Sequence, residues 1–368
     1  MQSIDDILEI EPYSLDRAEK RDMLNKRLRE LTKMHYDNCM EYRRMFDATG
    51  LDINNLPEYD KLPFLPVRLF KEFELRSCAK DDVIKTMTSS GTTGQAVSKI
   101  YLDRETSALQ TKTLTKIVSA FLGKQRLPML IIDSPEVIKN RAMFTARGAG
   151  ILGFSMFGSK RCYALNADME LDIEGMNKFL EEHKDTPIFM FGFTFMIWQH
   201  FYKKLLESGY RPDLSKGILI HGGGWKKLIS EKVSPADYKS CLNSVCGILP
   251  ENVHDYYGMV EQTGTIYMEC EYGHLHTSIF SDVIVRRPID WSIAENGEKG
   301  IIEVVSVLPQ SYPGHVLLTE DEGMILGEDD CPCGRKGKYF KIEGRIKNAE
   351  IRGCSDTYAS KFISPASF

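Results

Sequence analysis

The run TSSGTTG, Thr88 to Gly94, concentrates hydroxyl side chains and glycine in a way that suits a backbone wrapped around phosphate. Thr88, Ser89, Ser90, Thr92 and Thr93 can donate to phosphate oxygens, while Gly91 and Gly94 permit positive φ and close backbone approach. Lys99 follows within reach and adds a cation. The pattern is neither the Walker G-x-x-x-x-G-K-[ST] nor the G-x-G-x-x-G dinucleotide fingerprint. On composition alone a flexible linker and a phosphate loop are equally open readings. The run lies between a short apolar stretch (Val83, Ile84, Met87) and a strand expected over residues 99–102, which makes it a turn joining two strands.

Two other groups carry chemistry. Cys270 is followed by Gly273, His274 and His276, and later by the tight turn Cys331-Pro332-Cys333-Gly334. Three thiolates and one imidazole suit tetrahedral zinc, as a structural site, because four protein ligands leave no open coordination position. The competing reading is four reduced residues without metal. Cys354 stands beside Gly353 and Arg352, with Arg345, Lys347 and Lys361 nearby. A thiol attacks as its thiolate, and neighbouring cations lower its pKa. Against this, a cysteine more commonly packs as a small hydrophobe.

Four collinear segments resemble motifs of the adenylate-forming superfamily, whose members react a carboxylate with ATP to give acyl-AMP. TSSGTTG is similar to its phosphate loop. YYGMVEQ (Tyr256 to Gln262) resembles the Y-G-x-T-E motif, which implies that Tyr257, followed by Gly258, covers adenine and that Glu261 holds magnesium. LLTEDEG (Leu317 to Gly323) resembles the T-G-D motif, making Asp321 the acceptor of ribose hydrogen bonds. GRIKNAEIRG (Gly344 to Gly353) is similar to the hinge motif, with Arg345 the second ribose contact. Val260 stands where most members carry a threonine or serine touching the α-phosphate, and Glu320 replaces the glycine before the ribose aspartate. The superfamily has a lid domain after the hinge, with a lysine that assists adenylation; here 15 residues follow Gly353. The resemblance therefore implies a truncated lid, with Lys99, Lys226 or Lys361 left to do that lysine's work.

FLPVRLFK (Phe64 to Lys71), SSGTTGQAVSKIYLD (Ser89 to Asp103), HGGGWKKL (His221 to Leu228), YGMVEQTG (Tyr257 to Gly264) and RGCSDTY (Arg352 to Tyr358) together resemble the LuxE family of acyl-protein synthetases. Members activate a fatty acid with ATP, move the acyl group onto their own cysteine near the C-terminus, and pass it to a partner acyl reductase that makes aldehyde. Cys354 matches that cysteine. The segments CEYGHLH and CPCGR also resemble those of phenylacetate-CoA ligase relatives, some of which hold a structural zinc there; His276 is the better-placed ligand and His274 the alternative. The implied fold is α/β, an adenylate-forming N-terminal domain of mixed sheets with flanking helices and a small β lobe. Two other functions stay open: an acyl-CoA ligase of the phenylacetate type, and a catalytically weak nucleotide-binding scaffold for a reductase.

These residues need a frame to position them. Residues 1–60 are charge-rich with apolar residues at three- and four-residue spacing (Leu24, Leu28, Leu31, then Met34 and Tyr36), which predicts a helical cap. Residues 61–263 alternate strands and helices, and PMLIIDS, TPIFMFGF and GILIHGGG read as buried strands, the last two ending in glycine. Helices are expected over 108–122, 170–183 and 194–208. This grammar indicates an α/β core binding ATP and the acyl group beyond its strand ends. Gly222, Gly223 and Gly224 would let an adenine edge approach, with Trp225 as a wall. Phe191, Gly192, Phe193 and Phe195 are candidates to line an acyl tunnel, although such clusters are more often core. Residues 264–343 change to short β-rich pieces, a lobe carrying the zinc candidates, and 344–368 form a hinge and short arm. Net charge is −5, with 42% hydrophobic and 27% charged residues, which gives no reason to expect nucleic acid or a membrane surface. No stretch approaches a membrane span, and the start MQSIDDILEIEPY lacks a secretory pattern. The 9 irregularly spaced cysteines read as reduced thiols of a cytoplasmic chain.

Overall fold

The computed structural model of the protein describes residues 4–89, 97–139 and 146–346. Its contacts divide the chain into two compact units: Met1–Ile117, Gly258–Tyr267 and His276–Phe368 form one, Val118–Tyr257 and Met268–Leu275 the other.

The second unit is built on a parallel sheet. Its strands lie in the order Gly158–Tyr163, Leu127–Ile132, Ile188–Phe193, Gly217–Gly222, Val253–Tyr257. Continuous apolar runs suit strands covered on both faces, and every residue of Ile188–Phe193 is buried. In chain order the strands run second, first, third, fourth, fifth. The direction of winding therefore reverses between Leu127–Ile132 and Ile188–Phe193, and open sheets of this kind bind ligands beyond the strand C-termini at such a reversal. Local signals place the flanking helices. Asp172 caps Ile173–Glu182 by accepting from the Gly175 amide at 3.0 Å. Ser234 caps Pro235–Cys246, which ends at Gly247 with φ +72°. Met176, Phe179, Leu242 and Val245 bury these helices against Leu130, Ile188 and Leu219. The helix expected over 194–208 is present, with Ile197–Tyr202 a π-helical stretch between two α-helical pieces. The wider turn lets Ile197, Trp198 and Phe201 all be buried and stacks Trp198 on Tyr202 at 4.6 Å between centroids.

The first unit combines helices with an antiparallel meander. Helix Arg17–Asn38 starts with a capping box formed by Asp16 and Glu19. Leu24, Leu28 and Leu31, at helical spacing, are buried along it. Strands Ser281–Arg286, Gly300–Ser306, Val316–Glu328 and Lys338–Arg345 pair in sequence order. Leu65–Pro66 adds a short parallel pairing to Leu317 and Leu318. A buried Arg286–Glu303 ion pair, 2.7 Å, joins the first two meander strands. Among the described residues no helix is long and apolar enough to cross a membrane.

Candidate functional site

Two paired strands flank the hydroxyl run. Lys85–Thr88 pairs antiparallel with Lys99–Leu102, and Thr88 faces Lys99 at the open end. Ser89 extends the ladder: its amide donates to the Ser98 carbonyl at 3.2 Å, and its Oγ accepts from the Ser98 amide at 2.9 Å. The hairpin thus holds Thr88, Ser89 and Lys99 at the root of the run. Ser90, Gly91, Thr92, Thr93 and Gly94 lie outside the described residues, as do Cys354, Arg352, Lys347 and Lys361.

Glu261 sits in the short 3₁₀ turn Val260–Gln262 of the same unit and is 8% exposed. The Tyr312 hydroxyl donates to its carbonyl at 2.9 Å. Gln262 anchors the turn from below, donating from Nε2 to the carbonyls of Gly314 (2.8 Å) and Val304 (3.2 Å). Thr263 Oγ1 lies 3.9 Å from Met87 Sδ, so the turn carrying Glu261 touches the hairpin carrying the hydroxyl run across 176 residues of sequence. Gly258, just before the turn, is exposed.

Asp321 and Arg345 face one another directly across the pairing of Val316–Glu328 with Lys338–Arg345, with Arg345 Nε 3.7 Å from Asp321 Oδ1. The register shifts immediately afterwards, between Glu322 and Gly323. Such a bulge re-aims neighbouring side chains and is frequent beside active sites. The Asp321 amide donates to Thr319 Oγ1 at 3.0 Å, and Thr319 Oγ1 donates to the Ile302 carbonyl at 2.8 Å, fixing the backbone under the carboxylate.

In the other unit, Tyr257 ends strand Val253–Tyr257 and is half-buried. Gly222 ends its strand, and Gly223 and Gly224 follow with φ of +85° and +61°. These glycines are required: a Cβ on Gly222 would lie 2.7 Å from the Tyr256 ring, and one on Gly223 2.6 Å from the Phe193 ring. Phe191 is fully buried and stacks on Phe154 at 4.3 Å between centroids. A Cβ on Gly192 would meet Ile132 and Ile197 at 3.0 Å. Phe193 is buried and Phe195 half-buried. Reasoning from sequence missed a polar group at these strand ends. His221 Nδ1 lies 3.0 Å from Thr194 Oγ1 and 3.8 Å from Asp255 Oδ1. The Asp255 amide donates to Glu269 Oε2 at 2.9 Å, and Lys239 Nζ lies 3.2 Å from the other oxygen of Glu269. Burial, with the Lys239 charge adding to it, pushes His221 down to about 3, so its imidazole is neutral. The one signal for it in the sequence is its place directly before the glycine run.

His276, Cys331 and Cys333 offer ligand atoms that lie within 4.8 Å of one another, with His276 Nε2 3.4 Å from Cys333 Sγ. The tight turn is real: the Gly334 amide donates to the Cys331 carbonyl at 3.0 Å, and Gly334 has φ +78°. Cys270, in the other unit, is fully buried, and its amide donates to the His274 carbonyl at 2.8 Å. His276 rather than His274 is the buried imidazole. Ligands at about 2.0–2.3 Å from a tetrahedral ion stand closer than 5 Å to one another, so this donor set and spacing fit zinc.

The family model "Acyl-protein synthetase, LuxE" matches residues 1–363. A long-chain-fatty-acid–luciferin-component ligase of Aliivibrio fischeri is 23% identical over 97% of this chain and 93% of the relative. Its counterpart in Vibrio harveyi is 20% identical over 98% and 94%. Among solved structures, an open form of 2-hydroxyisobutyryl-CoA ligase, in complex with 2-HIB-AMP and CoA, superposes with a TM-score of 0.67 at 14% identity, covering 91% of this chain and 77% of that one. The fold is therefore that of adenylate-forming enzymes, a mixed α/β architecture, and the chain belongs to the LuxE family of acyl-protein synthetases.

Proposed function

We propose that this ligase activates a fatty acid with ATP and carries the acyl group on Cys354. A carboxylate oxygen of the acid attacks the α-phosphorus, the bond to pyrophosphate breaks, and acyl-AMP forms. The Cys354 thiolate then attacks the acyl carbon, AMP leaves, and the thiol proton passes to solvent. A partner acyl reductase would take the acyl group from the thioester. The observation that supports this reading is the contact of Thr263, directly after the Glu261 turn, with Met87 of the hairpin that carries the hydroxyl run, which joins two of the four motif segments.

Each side chain has a task. The hydroxyls and amides of Thr88 to Gly94, with Lys99, would hold the phosphates. Asp321 and Arg345, held opposite one another by strand register, would bind the ribose hydroxyls. Tyr257 and the backbone of Gly222–Gly224 would receive adenine, and Phe191, Phe193 and Phe195, with Gly192, would line the acyl side. A mostly buried carboxylate is a donor magnesium accepts alongside substrate phosphates, so Glu261 would hold that ion, which when bound offsets phosphate charge. Cys270, His276, Cys331 and Cys333 would hold a structural zinc, stabilising the fold rather than entering the reaction.

The test is protein labelling. Incubation with ATP, magnesium and a labelled fatty acid should leave label on the protein, released by neutral hydroxylamine as thioesters are. Cys354→Ser should abolish the label and spare pyrophosphate release. Label that accumulates on coenzyme A, and never on protein, would overturn the reading in favour of an acyl-CoA ligase.

A further inference from the structure

Tyr312 is fully buried, and its hydroxyl is held at two points. It donates to the Glu261 carbonyl at 2.9 Å and receives the Gln110 Nε2 group at 3.3 Å. A buried tyrosine hydroxyl needs partners, but here one partner is the backbone of the very residue whose side chain the proposed chemistry uses. The surroundings leave that turn no slack. A Cβ on Gly314 would stand 2.2 Å from the Tyr312 ring and 3.0 Å from the Glu261 carbonyl oxygen. Gly264, with φ +97°, brings its Cα so close to helix Arg104–Leu122 that a Cβ would meet the Gln110 backbone at 2.7 Å. Gln110 therefore meets the segment twice, through its backbone at Gly264 and through its amide on Tyr312.

We infer that Tyr312, with Gln110, is a positioning residue that fixes the direction of the Glu261 carboxylate relative to the hairpin of the hydroxyl run. The inference rests on Glu261 acting as the magnesium-holding group proposed above. Removing the phenolic oxygen would leave the ring packing in place. It would strip the Glu261 carbonyl of a buried donor, and the turn would then relax toward another partner.

The experiment compares wild type, Tyr312→Phe, Gln110→Ala and Glu261→Ala in three measurements. These are pyrophosphate release with the best acid of a fatty-acid panel, equilibrium ATP binding with and without magnesium, and thermal melting. Tyr312→Phe should lower turnover about tenfold, the equivalent of about 1.4 kcal/mol. It should leave KM for the acid within about twofold and shrink the gain in ATP affinity that magnesium provides. Gln110→Ala should move the same quantities in the same direction by less, and it carries the test if Tyr312→Phe does not fold. A lower melting temperature in both variants, with turnover and the magnesium gain unchanged, would overturn the inference and leave Tyr312 a packing residue. Wild-type turnover in Glu261→Ala would instead overturn the magnesium reading on which it rests.

Discussion

Replacing Asp321 by alanine should separate nucleotide binding from folding. Arg345, its partner across the strands, is 72% exposed and 3.7 Å away. An ion pair with so exposed a member contributes under about 1 kcal/mol. The backbone at Asp321 is held independently, by its amide on Thr319 Oγ1 and by strand pairing. The melting temperature should therefore fall by less than about 3 °C. Nucleotide use should suffer far more. Hydrogen bonds to a charged acceptor contribute about 1.5–3 kcal/mol each, so losing the ribose contacts removes about 3 kcal/mol, or roughly 150-fold in kcat/KM for ATP. The assay is acid-dependent exchange of pyrophosphate into ATP, run with ATP and with its 2′- and 3′-deoxy analogues. Wild type should discriminate against at least one analogue, and Asp321→Ala should lose most of that discrimination. Wild-type kcat/KM in the variant would refute the assignment. So would a loss that is equally large with both analogues as with ATP, because a carboxylate that binds ribose must feel the missing hydroxyl.

Stability should fall in mild acid. His35 and His315 are buried side by side, their rings tilted by 31° with 4.8 Å between centroids. Burial pushes His315 down to about 3 and, with the neighbouring His315 adding to it, drives His35 well below its ordinary value. The unfolded chain binds protons near pH 6.5 that the native state refuses. Stability is thus full above about pH 6.5 and falls by up to about 1.4 kcal/mol per pH unit per imidazole on the way down. Melting curves at pH 7.5 and 5 should show the drop, and His315→Gln should flatten it; an unchanged slope in that variant would exclude the pair as its source. For the zinc site, metal analysis of protein purified without chelator should find about one zinc per chain, and Cys333→Ser should lose it and melt at lower temperature. Metal-free wild-type protein would remove the site.

What was legible in the sequence is what short-range chemistry specifies. The strand Lys99–Leu102 is recognisable because polar and apolar residues alternate along it. Leu24, Leu28 and Leu31 announce one helical face, and unbroken apolar runs announce the parallel strands, because burial on one stripe or on both faces leaves a periodic or continuous pattern. The cysteine and histidine spacing named the metal candidates because two ligands on one turn must be near neighbours in sequence. Contacts between distant segments leave no such trace. Thr263 against Met87, Tyr312 under Glu261 and Asp321 opposite Arg345 depend on register and on which helix covers which strand, settled only when the whole core packs. The π turn at Ile197–Tyr202 and the buried pair His35 and His315 are of the same kind. Each residue type is ordinary where it stands in the chain, and its role is set by the low-dielectric, close-packed surroundings that the tertiary structure builds around it.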